Sequence, residues 1–375
     1  MSSFVVLTIQ YLILLRFGLF DKVQGYYIEL LSKLIVGILY LVALPVVWKR
    51  KKFFCIVVYL ISVLILIIHS VIFKGNFSYI KTILFPLLFT CISSFIYAIS
   101  LDNLLVLKTE MEKTARIILF IGIILIFSIF IGSINISKYS MALSYYMLIP
   151  AIMYLNKLFR KYTIKNFIGF FISFLIIIAF GARGPILCIL FFAVTYLKII
   201  FKNINYKKIF IIILFIFIIL TLVLFFYDII NILYNLLSNF GIRSRTLWLL
   251  LHKDYNLSGR EEIADIIIEA IAKNPILGIG IAGDRVLLEG SYSHNIVIEV
   301  ISNFGIILGI LLLSVLGIKW IKSLFSKNES YLDIILIWSS IGFIHLFISS
   351  SYLIDFKFWI FIGVLFNNTK NCNNS

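Results

Sequence analysis

Runs of about 20 apolar residues, split by short polar connections, fill most of this chain, and that length is what crosses the hydrocarbon core of a bilayer. By this measure about twelve segments qualify: 3–20, 27–48, 53–73, 82–100, 116–134, 140–155, 167–181, 185–201, 209–230, 296–318, 331–350 and 352–367. Lipid offers a backbone no water to bond, so each run satisfies its own amides as a helix. The composition agrees, with 62% of residues hydrophobic against roughly 45–50% in soluble domains. The expected fold class is all-α: a polytopic transmembrane helical bundle of about 12 spanning helices.

The formal charge of +16 would suggest nucleic acid in a soluble protein. Here no soluble basic domain exists to carry such a role, and no nucleic-acid partner is expected. The basic residues instead orient the helices. Clusters follow the second run (Lys49, Arg50, Lys51, Lys52), the sixth (Lys157, Arg160, Lys161, Lys165), the eighth (Lys198, Lys202, Lys207, Lys208) and the tenth (Lys319, Lys322, Lys327). All follow even-numbered runs, so all share one side, and the positive-inside rule makes it the cytoplasm. The loop after the fourth run is balanced and does not vote. Both termini are then cytoplasmic. The first run lacks a small-residue cleavage site and reads as a retained helix. The chain divides into helices over 1–230, one large extracytoplasmic loop over 231–295, and helices with a short tail over 296–375. Cys55, Cys91, Cys188 and Cys372 form no C-x-x-C pair, so neither a metal nor a disulfide framework is expected.

The large loop contains "SGREEIADIIIEAIAKNP" at 258–275. Ser258 and Glu261 fit a capping box. Ile263, Ile266, Ile267, Ala270 and Ile271 share a face, Glu269 and Lys273 form an i,i+4 pair, and Asn274-Pro275 ends the helix. This amphipathic helix is expected on the outer surface of the bundle or at the lipid interface. Arg260 does not fit, because a cation in the first turn opposes the positive end of the helix dipole. Either Glu261 and Glu262 compensate, or Arg260 and the free amides hold an anion. "FGARGP" at 180–185 raises the same choice. One helix ends, another restarts near Pro185, and Arg183 is the only charge between Lys165 and Lys198. It is either an interfacial snorkelling arginine or a second anion ligand. Arg243, Arg245 and Arg285 are further candidates in the loop.

"GIGIAG" at 278–283 matches the dinucleotide pattern G-x-G-x-x-G. It follows a helix and a proline rather than a buried strand, so its glycines serve tight turns. His69 and His345 read as packing residues, Glu29 and Lys33 as a neutralising i,i+4 pair, and Asp355 and Lys357 as parts of the last outer turn. "SYSHNIVIEVISNFG" at 291–305 brings Tyr292, His294, Asn295 and Glu299 to the mouth of an apolar helix. Histidine titrates near neutrality and accepts a hydroxyl proton, whereas the plain alternative is a polar helix cap.

In order along the chain, "GARG" at 181–184, "SGR" at 258–260, "NPILGIGIAG" at 274–283 and "SHNIVIEVISNFGIILG" at 293–309 resemble the O-antigen polymerase and ligase superfamily of bacterial envelope glycosyltransferases. The resemblance implies an enzyme that transfers glycan from an undecaprenyl-diphosphate donor at the outer face of the bacterial cytoplasmic (inner) membrane, with no cofactor and no obligate metal. It implies that Arg183 and Arg260 hold the diphosphate and that His294 lies by the acceptor hydroxyl. Arg243, Arg245, Arg285, Tyr292, Asn295 and Glu299 are the supporting candidates.

Within the superfamily the expected activity is a Wzy-type polymerase of O-antigen or capsule, joining lipid-linked repeat units that serve as both donor and acceptor. A ligase is the alternative acceptor choice. The expected partners are that lipid-linked oligosaccharide, membrane lipid, a chain-length regulator and a flippase. A rival of a different class is a flippase itself. That would call for charges along several helices and internal repeats, neither of which the sequence displays.

Overall fold

The computed structural model describes residues 1–19, 22–130, 141–180, 182–202, 226–239, 248, 251 and 259–367. These residues form helices and turns, with no strand among them. In chain order the helices are α1 (Ser2–Arg16), α2 (Val23–Ile72), α3 (Phe77–Phe85), α4 (Ser93–Ile99), α5 (Leu104–Phe130), α6 (Met141–Arg160), α7 (Ile164–Ala179), α8 (Arg183–Lys202), α9 (Phe226–Asn239), α10 (Arg260–Lys273), α11 (Gly283–Leu287), α12 (Ile296–Leu324), α13 (Glu329–Trp338) and α14 (Phe356–Phe366). A 3-10 turn at Lys74–Asn76 and a π-helical turn at Pro86–Ile92 join α2, α3 and α4 into a nearly continuous helical path. A π turn at Ser339–Phe343 and a 3-10 turn at Ile344–Phe347 extend α13.

By length and composition, four stretches among the described residues can cross a membrane: Val23–Ile72, Lys74–Ile99, Ile296–Leu324 and Glu329–Phe347. Several shorter apolar helices accompany them, among them α1, α7 and α14. The protein is therefore an all-helical membrane protein. Most of the ninth apolar run, 209–230, lies outside the described residues.

The second and third runs form two helices that meet at a kink rather than a loop: within α2 the backbone leaves helical geometry at Lys51 (φ −138°, ψ 34°). The basic cluster after Trp48 supplies no glycine, proline or asparagine to end the helix. A straight helix of this length would reach about 75 Å, far beyond a bilayer core of about 30 Å, so a break is required somewhere.

The chain folds as two compact units that interleave along the sequence: 1–39 with 106–255, and 40–105 with 256–375. In the first unit α7 and α8 pack on α6. Gly169 lets α7 approach the Tyr154 ring, where an added Cβ would come within 2.7 Å. Gly184 of α8 faces the Tyr145 hydroxyl with no room for any side chain. In the second unit α14 packs along α4, with Gly363 pressed on Ala98, and α10 lies on α12. The Asn367 amide donates to the Ala98 and Leu101 carbonyls at 3.0 and 2.9 Å.

Two ion pairs join polar segments that charge patterning assigns to one side. Arg50 meets Asp102 at 2.6 Å in the second unit, and Lys157 meets Glu112 at 2.8 Å in the first. The acidic residues after the fourth run thus pair with the basic clusters after the second and sixth.

Candidate active site

The second unit builds its polar centre around a broken helix. Gly305 interrupts α12 with φ +78° and ψ 173°, a conformation essentially restricted to glycine. In an unbroken helix the Ile306 amide would bond the Ser302 carbonyl. Here both are released to the segment 274–282. Ile306 N–H donates to Pro275 O at 2.8 Å, and Ile279 N–H donates to Ser302 O at 2.7 Å. The "GIGIAG" glycines serve this docking. Gly278 and Gly280 have φ of +68° and +78°, and a Cβ on Gly278 would fall 2.3 Å from Ser302 O. Asn76 donates to the carbonyls of Ile279 (2.8 Å) and Ile281 (3.0 Å), and Ile281 N–H donates to His69 Nδ1 at 3.1 Å. His69 is thus an anchor for the segment, packed between the Phe73 and Phe304 rings.

The anchored segment leads into α11, which carries a buried ionic cluster. Arg285 is 4% exposed, and Asp284 and Glu299 are fully buried. Arg285 Nη1 donates to Asp284 Oδ1 at 2.9 Å and reaches Glu299 Oε1 at 3.5 Å, while Nη2 donates to Ser351 Oγ at 2.8 Å. Ser351 passes the network on by donating to Glu299 Oε1. Glu299 Oε2 accepts from Tyr352 N–H at 3.2 Å, and Asp284 Oδ2 accepts from Ser293 N–H at 3.2 Å. Both carboxylates therefore have hydrogen-bond donors as well as a cation, the condition under which buried charge is tolerated.

The Arg285 guanidinium lies over the Tyr292 ring, 5.5 Å from its centroid, and the Tyr292 ring lies 4.2 Å from that of His294. His294 has φ +55°, a left-handed conformation rare for a residue with a side chain. It is half-buried, and its Nδ1 is buried with no hydrogen-bond partner among the described residues. Burial first, then the charges of Arg260 and Arg285, hold its pKa below the ordinary 6.5. The imidazole is therefore neutral near pH 7 and competent to accept a proton. Burial likewise raises the Tyr292 phenol above 10, so it stays protonated.

Arg260 opens α10 and makes no hydrogen bond or ion pair among the described residues. The helix starts one residue later than a Ser258 capping box requires. Its N-cap is Gly259, at φ +73°, with no side-chain cap. Ser258 itself lies outside the described residues. The buried face is narrower than the periodicity suggests: Ile267 and Ile271 are buried, but Ile266 is 46% exposed. The Glu269–Lys273 pair is present at 2.8 Å.

The structure thus brings Arg260, Arg285, Tyr292 and His294 into one electrostatic neighbourhood. Asn295 caps α12 by accepting from Val297 and Ile298 N–H. Glu299 is turned into the ionic cluster. Arg183 is the first residue of α8 and belongs to the other unit. Arg243, Arg245 and Gly181 lie outside the described residues. Sequence reasoning missed Asp284, Ser293 and Ser351. The available signals were an adjacent Asp-Arg pair in an apolar loop and the polar run "SSSY" at 349–352 between two apolar runs. It also read His345 apart from Asp355 and Lys357, whereas Asp355 pairs with both, at 2.6 and 3.3 Å. Among the described residues no three of His, Cys, Asp and Glu gather as a metal-binding group.

Residues 168–313 match the model of a family described as O-antigen ligase. That similarity supports the resemblance of this segment to the O-antigen polymerase and ligase superfamily. The matched segment includes Arg183, Arg260, the glycine-rich stretch, Arg285 and His294. No curated protein matches the chain.

Proposed function

We propose that the protein polymerises undecaprenyl-diphosphate-linked oligosaccharide repeat units into O-antigen or capsular polysaccharide at the outer face of the cytoplasmic membrane. The observation that carries the proposal is His294 itself: a half-buried imidazole on a left-handed backbone, 4.2 Å from the Tyr292 ring by centroids, with the charges of Arg260 and Arg285 acting on it. In this reading a hydroxyl of the acceptor glycan attacks the anomeric carbon of the donor. His294 takes the hydroxyl proton as the new C–O bond forms. The bond from the anomeric carbon to the diphosphate breaks, and its electron pair leaves with the diphosphate. Arg260 meets that charge at the start of α10, where free amides add to the field. Arg183, also at a helix start, is proposed as the second diphosphate ligand. Arginines rather than a metal ion supply the electrostatic stabilisation. His294 as general base contributes about 10²–10⁴-fold in rate.

The proposal includes about twelve spanning helices, both termini in the cytoplasm and the segment around His294 outside. An apolar cleft of about 510 Å³ between α2 and α3, lined by Leu66, Ile67, Val71, Phe77 and Ile80 with Lys74 at its polar end, offers a wall to part of the donor lipid.

The family description favours a second reading, a ligase that uses the same donor chemistry with another acceptor. Glycan profiling of strains expressing wild type, His294→Ala or Arg260→Ala separates the readings. The polymerase reading expects either variant to leave single repeat units at the outer face. Fully polymerised glycan left on its lipid carrier selects the ligase. Repeat units retained inside select a flippase, and normal polymer in His294→Ala overturns the proposal.

A further inference from the structure

Arg285 is a cation in the neighbourhood of the proposed diphosphate, yet its hydrogen-bonding capacity points elsewhere. Nη1 is committed to Asp284 and Glu299, and Nη2 to Ser351. The side chain is 5% exposed, and the guanidinium carbon lies over the Tyr292 ring. The partners come from three separated parts of the chain: α11, the first turn of α12, and the turn before α14. Such a clamp fixes the guanidinium plane. A fixed guanidinium stacks on an aromatic face with defined orientation, which a lysine ammonium does not reproduce.

We propose that Arg285, held by Asp284, Glu299 and Ser351, is a positioning residue that fixes the His294 imidazole through the Tyr292 ring. The inference rests on the proposed role of His294 but concerns a different property, the orientation of its ring. Three observations join the chain of contacts. The Tyr292 centroid is 5.5 Å from the Arg285 guanidinium carbon and 4.2 Å from the His294 centroid. The backbone between them is pinned, since Ser293 N–H donates to Asp284 and Ser293 Oγ to the Asn295 carbonyl. His294 itself occupies a left-handed backbone conformation, which persists only where the surroundings over-determine it. Each contact on the ring side therefore traces back to the same ionic cluster. The charged and titratable groups that bear on His294 are Arg260 from α10, Arg285 from α11 and the Tyr292 phenol. Glu299 and Asp355 in turn bear on Tyr292.

The test is ¹⁵N-histidine NMR of the full-length protein in nanodiscs. The chain has four histidines, and the His294 signal is assigned by its loss in His294→Gln. In the wild type we expect a single imidazole tautomer for His294, and a titration midpoint that moves upward in Arg285→Lys and Tyr292→Leu. Both variants are expected to show averaged tautomers at His294 while the His69 and His345 signals stay unchanged, which separates lost positioning from lost folding. Tyr292→Leu leaves the ionic clamp intact, and so reports even if Arg285→Lys fails to fold. Tyr292→Phe, which keeps the ring, is expected to match wild type. An unaltered His294 tautomer and midpoint in Tyr292→Leu would overturn the inference. The proposed activity fails on a separate result, polymer formation by His294→Ala, whatever the histidine spectra show.

Discussion

Replacing Gly305 by alanine tests how the segment carrying Arg285 is held. The new Cβ would lie 1.9 Å from Ile276 O and 2.5 Å from Ile276 C, both backbone atoms that no rotamer change can move aside. The required φ of +78° with ψ 173° adds strain of about 1–3 kcal/mol for a residue with a side chain. The helix has one escape, which is to straighten so that Ile306 N–H bonds Ser302 O. That restores one hydrogen bond but leaves the amide of half-buried Ile279 without its Ser302 partner, while Pro275 is exposed and its carbonyl can find another donor. At about 1–3 kcal/mol for the stranded amide, straightening costs about as much as the strain it relieves, a sizeable share of a typical stability of 5–15 kcal/mol. Gly317 lies in the same helix, and a Cβ there would meet nothing within 4 Å, so Gly317→Ala is the control. It is expected to be neutral or to gain up to about 1 kcal/mol from helix propensity. The assay is thermal denaturation of the full chain in lipid nanodiscs, with limited proteolysis of residues 274–290 and polymer length in cells. Gly305→Ala is expected to lower the midpoint, expose the segment and shorten the polymer. If Gly305→Ala and Gly317→Ala behave alike in all three, the backbone exchange at the break does not hold the segment.

Truncating Glu299 to alanine leaves Arg285 with less compensation and Tyr352 N–H without its acceptor, and is expected to cost about 3–5 kcal/mol, whereas Glu299→Gln keeps an acceptor and costs less; denaturation midpoints in nanodiscs rank the two. Because His294 must be neutral to act as a base and its pKa lies below 6.5, transfer activity is expected to hold through pH 6.5 and fall on further acidification. Arg260→Gln removes a charge that depresses that pKa, so any residual activity is expected to show its acid limb moved toward 6.5. Folding linkage has the same sign: as pH falls through 6.5 the unfolded chain binds the proton first, so the contribution of His294 to stability declines on acidification.

Much of the architecture was legible because lipid imposes a single solution on long apolar runs. Among the described residues helices appear where the runs lie, and Arg50–Asp102 and Lys157–Glu112 each pair an acidic residue after the fourth run with a basic cluster, in one unit and in the other. Local pairs such as Glu269–Lys273 follow from helical spacing alone. What stayed hidden depends on long-range contact. Apolarity gave no sign that α12 would break at Gly305, since the break is stabilised by Ile279 and Pro275 rather than by neighbours in the helix. Glu299 looked like part of an open polar site because its partners Arg285 and Ser351 lie 14 and 52 positions away. Asn295 looked equally open, yet its side chain caps α12. The left-handed Gly259 that opens α10 was equally hidden, since its conformation depends on how the chain enters the helix.

The most direct measurement uses the purified full-length protein in liposomes with a synthetic undecaprenyl-diphosphate oligosaccharide as the only glycan, and reads the product by mass. The account predicts that wild type joins the oligosaccharides and releases undecaprenyl diphosphate, and that His294→Ala with unchanged donor binding yields at least about a hundredfold less product. Equal product from His294→Ala, or no joined product from a wild-type protein that binds the donor, would contradict it.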